Sequence, residues 1–133
     1  KEAGKTLDRT LNLQELWGKV TGGQARFPMA GVVMPSKLVD ANPALVGGVL
    51  NELEAAVTQV NSLDEKALAT ITEKTKVQEP AVKSVIPRLQ LEVVPAQKAK
   101  SELEDFYTRL TTLSPDIVGG KMPADDFYLA DPR

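Results

Sequence analysis

The residues that could carry chemistry in this chain are few. Cysteine and histidine are both absent from its 133 residues. Without cysteine there is no disulfide, no thiolate nucleophile and no cysteine-bound zinc or iron–sulfur site. Without histidine, the usual general base near neutral pH and the histidine-containing triads are missing. We therefore predict a protein with no catalytic residues, no metal ligands and no cofactors, and hence not an enzyme.

Adjacent carboxylates, Asp125 and Asp126, come nearest to an acid–base or metal-binding pair. Side chains of neighbouring residues point in different directions on any regular backbone, which separates these two carboxylates. The Pro-Ala pair before them indicates the start of a helix, where the helix dipole favours negative charge. We interpret both residues as structural.

The Gly-Gly-Lys sequence of residues 119–121 resembles the end of a phosphate-binding loop. Such a loop has the spacing G-x-x-x-x-G-K-[ST]. Here Met122 follows Lys121, and no glycine lies five residues before Gly120. Residues 119–121 are therefore predicted to form a turn.

Two arginines next to extended segments could face a cleft. Arg26 is followed by Phe27, and Arg88 lies between Pro87 and Leu89. The other lysines and arginines are scattered over helical faces, as is typical of a solvated surface. An ordinary surface or structural arginine remains the alternative at both positions.

The elements that must position these residues are mostly helical, and the most clearly marked is the last helix, which begins at Pro95. Apolar residues recur along one of its faces at intervals of three and four. That face consists of Leu103, Phe106, Leu110 and Leu113. On the other side Asp105 lies four residues before Arg109, which is the favoured order for an ion pair on a helix.

Caps and apolar spacing predict five further helical segments before it. The first is a short helix that is capped by Asn12, packs Trp17 inward and stops at Gly22-Gly23, and the second is a single turn at 36–40 capped by Ser36. The third is a long helix from Asn42-Pro43 to residue 61. The fourth begins with a capping box at 62–65, and the fifth begins at Glu79-Pro80 and ends at Pro87. Gly47 and Gly48 lie inside the long helix, where we expect them to allow close contact with another element.

Two short strands complete the expected architecture. Residues 26–34 (RFPMAGVVM) form a short apolar run bounded by Gly-Gly and Pro35. Pro28 lacks a backbone N–H, which favours a sheet edge or a crossing between lobes. In residues 89–94, Leu89, Leu91 and Val93 alternate with Gln90, Glu92 and Val94, and this stretch is predicted to form a short edge strand.

Composition excludes several classes of function. The net charge is −2 and the isoelectric point about 5.2, which argues against a nucleic-acid-binding surface. No apolar run approaches the ~20 residues that a transmembrane helix needs. The chain opens with Lys1, and we expect it to be a processed or truncated product.

Three stretches carry a resemblance to a known family: PSKLVDANPALVGGVLNELEAAVTQVN, EPAVKSVIPRLQLEVVPAQKAKSELEDFYTRL and SPDIVGGKMPADDFYL. In this order they resemble the C-terminal third of substrate-binding proteins of ABC importers, in the group that serves sulfonates, nitrate, taurine and pyrimidine precursors of thiamine. The closing stretch is the most specific, and the likeness begins at about residue 12.

The resemblance implies an α/β fold of the type II periplasmic-binding-protein class, of which this chain would be the mostly helical C-terminal portion with one or two strands. Residues 1–133 would form a single partial domain, with 1–25 a remnant of lobe two and 26–133 the returning strand and helices of lobe one. Arg26, Phe27 and Met29 would adjoin a ligand cleft. The implied function is capture of a small organic or anionic ligand outside the cytoplasm and delivery to an ABC permease.

A partial lobe would leave apolar helix faces uncovered over residues 45–60 and 99–113. We expect a second chain, or the remainder of the protein, to cover them, because each buried Val, Leu or Phe contributes about 1.5–3 kcal/mol. The alternative is a self-standing helical protein-interaction domain with no ligand of its own. An enzyme of the same fold, the thiamine pyrimidine synthase, looks to histidine and cysteine, which this chain lacks.

Overall fold

The computed structural model of the chain describes residues 11–133. Six α-helices and two short 3-10 helices lie in this range, and it contains no strand. The α-helices are α1 (Leu13–Thr21), α2 (Ser36–Ala41), α3 (Ala44–Asn61), α4 (Glu65–Thr75), α5 (Glu79–Leu89) and α6 (Ala96–Leu113); the 3-10 helices are Pro115–Val118 and Asp125–Phe127. The expectation of a mostly helical chain is confirmed.

Neither predicted strand is present in residues 11–133. Residues 26–34 run without a helix, turn or bend, and residues 90–95 are likewise irregular after α5 ends at Leu89. A strand exists only where a neighbouring strand satisfies its backbone hydrogen bonds. The described part of the chain provides no such neighbour, so residues 26–34 form an irregular segment despite their apolar pattern.

Local capping signals account for some helix ends and not for others. The Asn12 side chain accepts hydrogen bonds from the N–H groups of Gln14 and Glu15, at 3.0 and 3.4 Å, and begins α1 as predicted. The capping box predicted at residues 62–65 is wrong. Asp64 caps α4 instead, and its side chain accepts hydrogen bonds from the N–H groups of Lys66 and Ala67, both at 3.0 Å.

Other predicted boundaries also shift by one or two residues. Pro35 and Pro43 occupy the cap positions of α2 and α3, and neither helix has a side-chain cap. Pro87 was predicted to end α5 but lies inside its last turn, and the helix continues to Leu89. The last helix begins at Ala96, directly after Pro95, in agreement with the prediction.

The chain divides into two compact units. Of the described residues, the first unit comprises 11–34 and Ala96–Ala130, and therefore holds α1, α6 and both 3-10 helices. The second unit comprises Pro35–Pro95 and Asp131–Arg133, and holds α2 to α5. The predicted division at residue 25 into parts of two lobes stays a prediction.

The core of the second unit is aliphatic and closed. Leu68, Val82 and Ile86 are 2, 6 and 3% exposed, and Leu63 and Ile71 pack against them. These residues belong to α4, α5 and the turn before α4. On each helix the apolar residues are three or four positions apart, so they lie on the same face and can meet in one core.

The last three residues pack on α3. Arg133 donates hydrogen bonds to Asn51 at 2.8 Å and to both carboxylate oxygens of Glu54 at 2.8 and 2.9 Å. It also pairs with Asp131, and these hydrogen bonds raise the pKa of the guanidinium further above its ordinary value. The Cγ atom of Arg133 would lie 3.4 Å from a Cβ atom added at Gly47, so this glycine sits against the tail.

The two units use different residues where the backbone enters the left-handed region. In the first unit the positive φ angles belong to glycines: Gly22, Gly119 and Gly120. In the second unit they belong to residues with side chains, namely Leu63, Lys76 and Gln90, with φ angles of 58, 59 and 50°. An L-residue pays roughly 1–2 kcal/mol for this conformation.

Candidate functional site

The most prominent surface feature lies on α1 in the first unit. The apolar residues of this nine-residue helix recur at intervals of three and four and share one face. Leu13, Leu16 and Val20 on that face are 65, 41 and 76% exposed. This face is therefore open to solvent.

An open groove of about 400 Å³ runs along this face. It is lined by Leu13, Leu16, Trp17 and Val20 of α1 together with Phe27 and Phe106. Small-molecule sites combine an apolar lining with a few converging polar groups. This groove has the apolar lining and almost no polar surface, so it is suited to apolar side chains rather than to a polar solute.

Three aromatic rings form the floor of the groove. Trp17 lies 5.7 Å from Phe27 and 5.5 Å from Phe106 between ring centroids, with tilted planes. Phe27 and Phe106 are nearly parallel, at 6.1 Å. These distances fall within the preferred range for aromatic pairs. Trp17 is half-buried against Phe27 and Phe106, whereas Leu13 and Val20, which were expected to face inward with it, are 65 and 76% exposed.

Arg26 is drawn to α6 rather than left free. Its guanidinium donates two hydrogen bonds to the Glu102 carboxylate, at 2.9 and 3.1 Å, in a bidentate pair. Its side chain is 43% exposed. An anionic ligand at this position would have to compete with Glu102 for the guanidinium.

Phe27 and Met29 diverge after Arg26. Phe27 points into the aromatic cluster, whereas Met29 is 71% exposed and its sulfur accepts a hydrogen bond from the Gln14 side chain at 3.5 Å. The three residues predicted to adjoin a cleft therefore do not converge on a common point. Whether they contact a ligand stays a prediction.

Arg109 and Asp105 form the ion pair predicted from their spacing, at 2.8 Å. The hydrogen bond to Asp105 raises the pKa of Arg109. The Arg109 guanidinium carbon also lies 5.7 Å from the centre of the Trp17 ring, within the range of a cation–π contact. The spacing of four residues predicts the ion pair with Asp105, and no local pattern indicates the contact of Arg109 with Trp17.

The closing segment of the first unit packs on α6. Tyr128 is 1% exposed, its backbone carbonyl accepts a hydrogen bond from the Gln97 side chain, and burial raises the pKa of its phenol. Lys100 lies 5.4 Å from the Tyr128 ring centre and donates a hydrogen bond to Asp125 at 2.7 Å. That bond lowers the pKa of Asp125 and raises that of Lys100.

The two motifs that suggested chemistry have structural roles. Asp125 and Asp126 begin a 3-10 helix, as their position after Pro-Ala indicated, and Asp125 is tied to Lys100. Gly119 and Gly120 both adopt left-handed φ angles in a turn after the first 3-10 helix. Arg88, the other arginine considered for a cleft, lies on the exposed surface of α5.

Among the residues that the structure describes, the acidic side chains do not gather into a metal site. Within residues 11–133, no group of three or more Asp or Glu side chains is arranged to hold a metal ion. In the same range, no helix is both long enough and apolar enough to cross a membrane. The groove beside α1 is accordingly the candidate functional surface.

Comparison of the chain with protein-family models, with curated proteins and with solved structures gave no match.

Proposed function

We propose that the chain is part of the extracytoplasmic solute-binding component of an ABC importer. The support is the resemblance of the chain from about residue 12 onward to the C-terminal third of that family, together with one observation of the fold. In residues 11–133 the buried hydrophobic residues are few: Val46, Leu68, Val82, Ile86 and Tyr128. So small a closed core is expected when the apolar faces of the helices are covered by a larger body.

The exposed apolar face of α1 carries this argument. A helix of a self-sufficient protein turns its apolar stripe toward the core. Here Leu13 and Val20 of that stripe are 65 and 76% exposed. A covering surface from the rest of a two-lobed body, of α/β class, would bury them.

Function in such a body is capture of a small organic or anionic ligand between two lobes. The ligand favours the closed arrangement because it binds that arrangement more tightly, and the permease reads the closure. The chain's own contribution would be the segment that begins at Arg26 and the helices that support it. No catalytic step is involved in this proposal.

The test is ligand binding by the protein expressed from its complete coding sequence. Thermal unfolding is followed with sulfonates, nitrate and pyrimidines as added ligands. A ligand at a free concentration 100 times its Kd should add about 2.7 kcal/mol to the free energy of unfolding. No stabilisation by any of these ligands, or an upstream sequence without alternating strands and helices, would overturn the proposal.

A pair of arginine variants sharpens that test. Arg26→Gln should weaken ligand binding if the arginine adjoins the cleft, and it also breaks the pair with Glu102. Arg88→Gln makes the same chemical change on an exposed helix surface and serves as the matched control. If the two substitutions change the ligand affinity equally, Arg26 is not part of the ligand site, and the importer role is not affected by that result.

A second candidate, a helical protein-interaction domain, is favoured by the lining of the groove. The apolar groove beside α1, of about 400 Å³, is suited to the apolar face of a partner helix. Trp17 is the single tryptophan of the chain and lines this groove. Titration with an amphipathic helical peptide should therefore change the tryptophan emission, and an unchanged emission at saturating peptide would contradict this candidate.

A further inference from the structure

Residues 29–34 (MAGVVM) form an exposed segment between α1 and α2 that lacks secondary structure. Met29, Val32 and Val33 are 71, 63 and 78% exposed. Large apolar side chains are thus presented to solvent along a stretch that makes no turn or bend. This arrangement is unusual for a loop, where turn-forming residues dominate.

The backbone of the same segment is also without partners. No N–H or C=O group of residues 29–34 forms a hydrogen bond with another residue of the described chain. Backbone donors and acceptors in folded proteins are nearly always paired, with water or with protein. Here they remain available to a second strand.

The sequence of the segment has the composition of a self-pairing strand. It has six residues, no charge and no internal proline, and it contains a pair of β-branched valines. Pro28 and Pro35 bracket it, and because proline has no N–H they limit pairing to the residues between them. Six residues is the ordinary length of a strand.

We infer that residues 29–33 of this segment pair with the same residues of a second copy of the chain as antiparallel strands, forming a dimer through a two-stranded interface. A two-fold axis through Gly31 places Ala30 opposite Val32 of the partner and Met29 opposite Val33 of the partner. Each pair combines a smaller or flexible side chain with a β-branched one, which packs well across strands. A Cβ atom added at Gly31 would meet nothing within 4 Å, so the axis is open to a second chain.

This pairing goes beyond the proposed importer role and does not depend on it. The experiments use the 133-residue chain, whereas the ligand-binding test uses the protein expressed from its complete coding sequence. A failure of the pairing then leaves ligand capture untouched. A failure of ligand capture likewise leaves the pairing untouched.

Sedimentation over a range of concentrations is the first experiment. We expect a monomer–dimer equilibrium in which the infrared signal of β-strands rises together with the dimer fraction. The monomer contributes little to that signal because residues 11–133 contain no strand. A monomer at all concentrations, or a dimer without a rise in the strand signal, would overturn the inference.

Cysteine substitutions test the direction of the strands, and the natural absence of cysteine makes them clean. Opposed residues of an antiparallel pair have Cα atoms roughly 4.5–5.5 Å apart, within reach of a disulfide. Mixing the Met29→Cys and Val33→Cys chains should therefore give mainly the mixed disulfide, as read by mass spectrometry. The mixture of Met29→Cys with Val32→Cys is the control and should cross-link slowly, because those residues are not opposed. Mainly homodisulfides would indicate parallel strands and overturn the arrangement.

Proline substitutions test whether backbone hydrogen bonds hold the dimer. N–H groups of successive residues in a strand point to opposite sides, so only one of Val32 and Val33 donates to the partner strand. One of the variants Val32→Pro and Val33→Pro should raise the dimer Kd about tenfold or more, since the two-fold axis removes two hydrogen bonds at once. The other should change it far less. Both residues lie outside the helices, so circular dichroism should show unchanged helix content. Equal effects of the two prolines would overturn the ladder.

Discussion

The two units bury their apolar residues in different ways. In the second unit, Leu68, Val82 and Ile86 form an aliphatic core with no more than 6% exposure. In the first unit, the large rings of Trp17, Phe27 and Phe106 touch one another and remain half-buried, and Tyr128 is the fully buried side chain. The second unit has a closed aliphatic core, whereas the first leaves the apolar face of α1 exposed.

Substitution in the aliphatic core should have the largest effect on stability. Leu68→Ala removes buried methyl groups and leaves a cavity, so it should lower the free energy of unfolding by about 2–5 kcal/mol. Leu113→Ala, at a leucine that is 80% exposed, is the matched control and should change it by less than about 0.5 kcal/mol. Urea unfolding followed by circular dichroism measures both. Similar values for the two leucines would show that the second unit is not closed in solution.

The aromatic cluster should be less costly to disrupt. Phe106→Ala removes the ring contacts with Trp17, Phe27 and Tyr107, and an aromatic pair is worth about 0.5–1.5 kcal/mol beyond the area it buries. We expect a total loss of about 2 kcal/mol, together with a shift of the Trp17 emission to longer wavelength as the ring gains water. A loss larger than that of Leu68→Ala would reverse the proposed contrast between the units.

A glycine of α3 should report a small gain. Gly48 lies inside the helix, and a Cβ atom added there would meet nothing within 4 Å. Gly48→Ala should therefore stabilise the chain by about 1 kcal/mol through helix propensity. A destabilisation, measured by the same urea unfolding, would reveal a second surface that approaches α3 closely.

The pH dependence of the closing segment should be the mildest effect. Because Lys100 lowers the pKa of Asp125, the ionised carboxylate is favoured in the folded chain, and its contribution to stability is lost as the pH falls through that lowered pKa. The pKa of Lys100 is raised, so its contribution is lost as the pH rises through the raised value. In Lys100→Met, an NMR titration should show the Asp125 pKa returning toward its ordinary value of about 3.9. An unchanged pKa would mean that the ion pair is not formed in solution.

Sequence patterns predicted what local geometry controls. Asn12 as a helix cap, the start of α6 after Pro95 and the ion pair of Asp105 with Arg109 follow from spacings of three or four residues. The capping box failed because Asp64 lies next to the same helix start and its carboxylate caps the first turn instead.

Contacts between distant parts of the chain were beyond such patterns. Arg26 pairs with Glu102, which lies 76 residues away, and Arg133 with Glu54, 79 residues away. No local spacing links these partners. The strand at residues 26–34 was predicted from composition alone, and composition does not supply the neighbouring strand that the structure would need. The groove beside α1 could be predicted only in part, because the sequence shows the apolar row of α1 but not that this row is exposed to solvent.

The left-handed residues of the second unit have a mechanical consequence. Leu63, Lys76 and Gln90 follow the ends of α3, α4 and α5, so every one of these helix ends is held in a conformation that the residue itself resists. Leu63 packs against the aliphatic core, whereas Lys76 and Gln90 are exposed. Loosening of that core would therefore release the strained turn between α3 and α4, while the ends of α4 and α5 would keep their conformation.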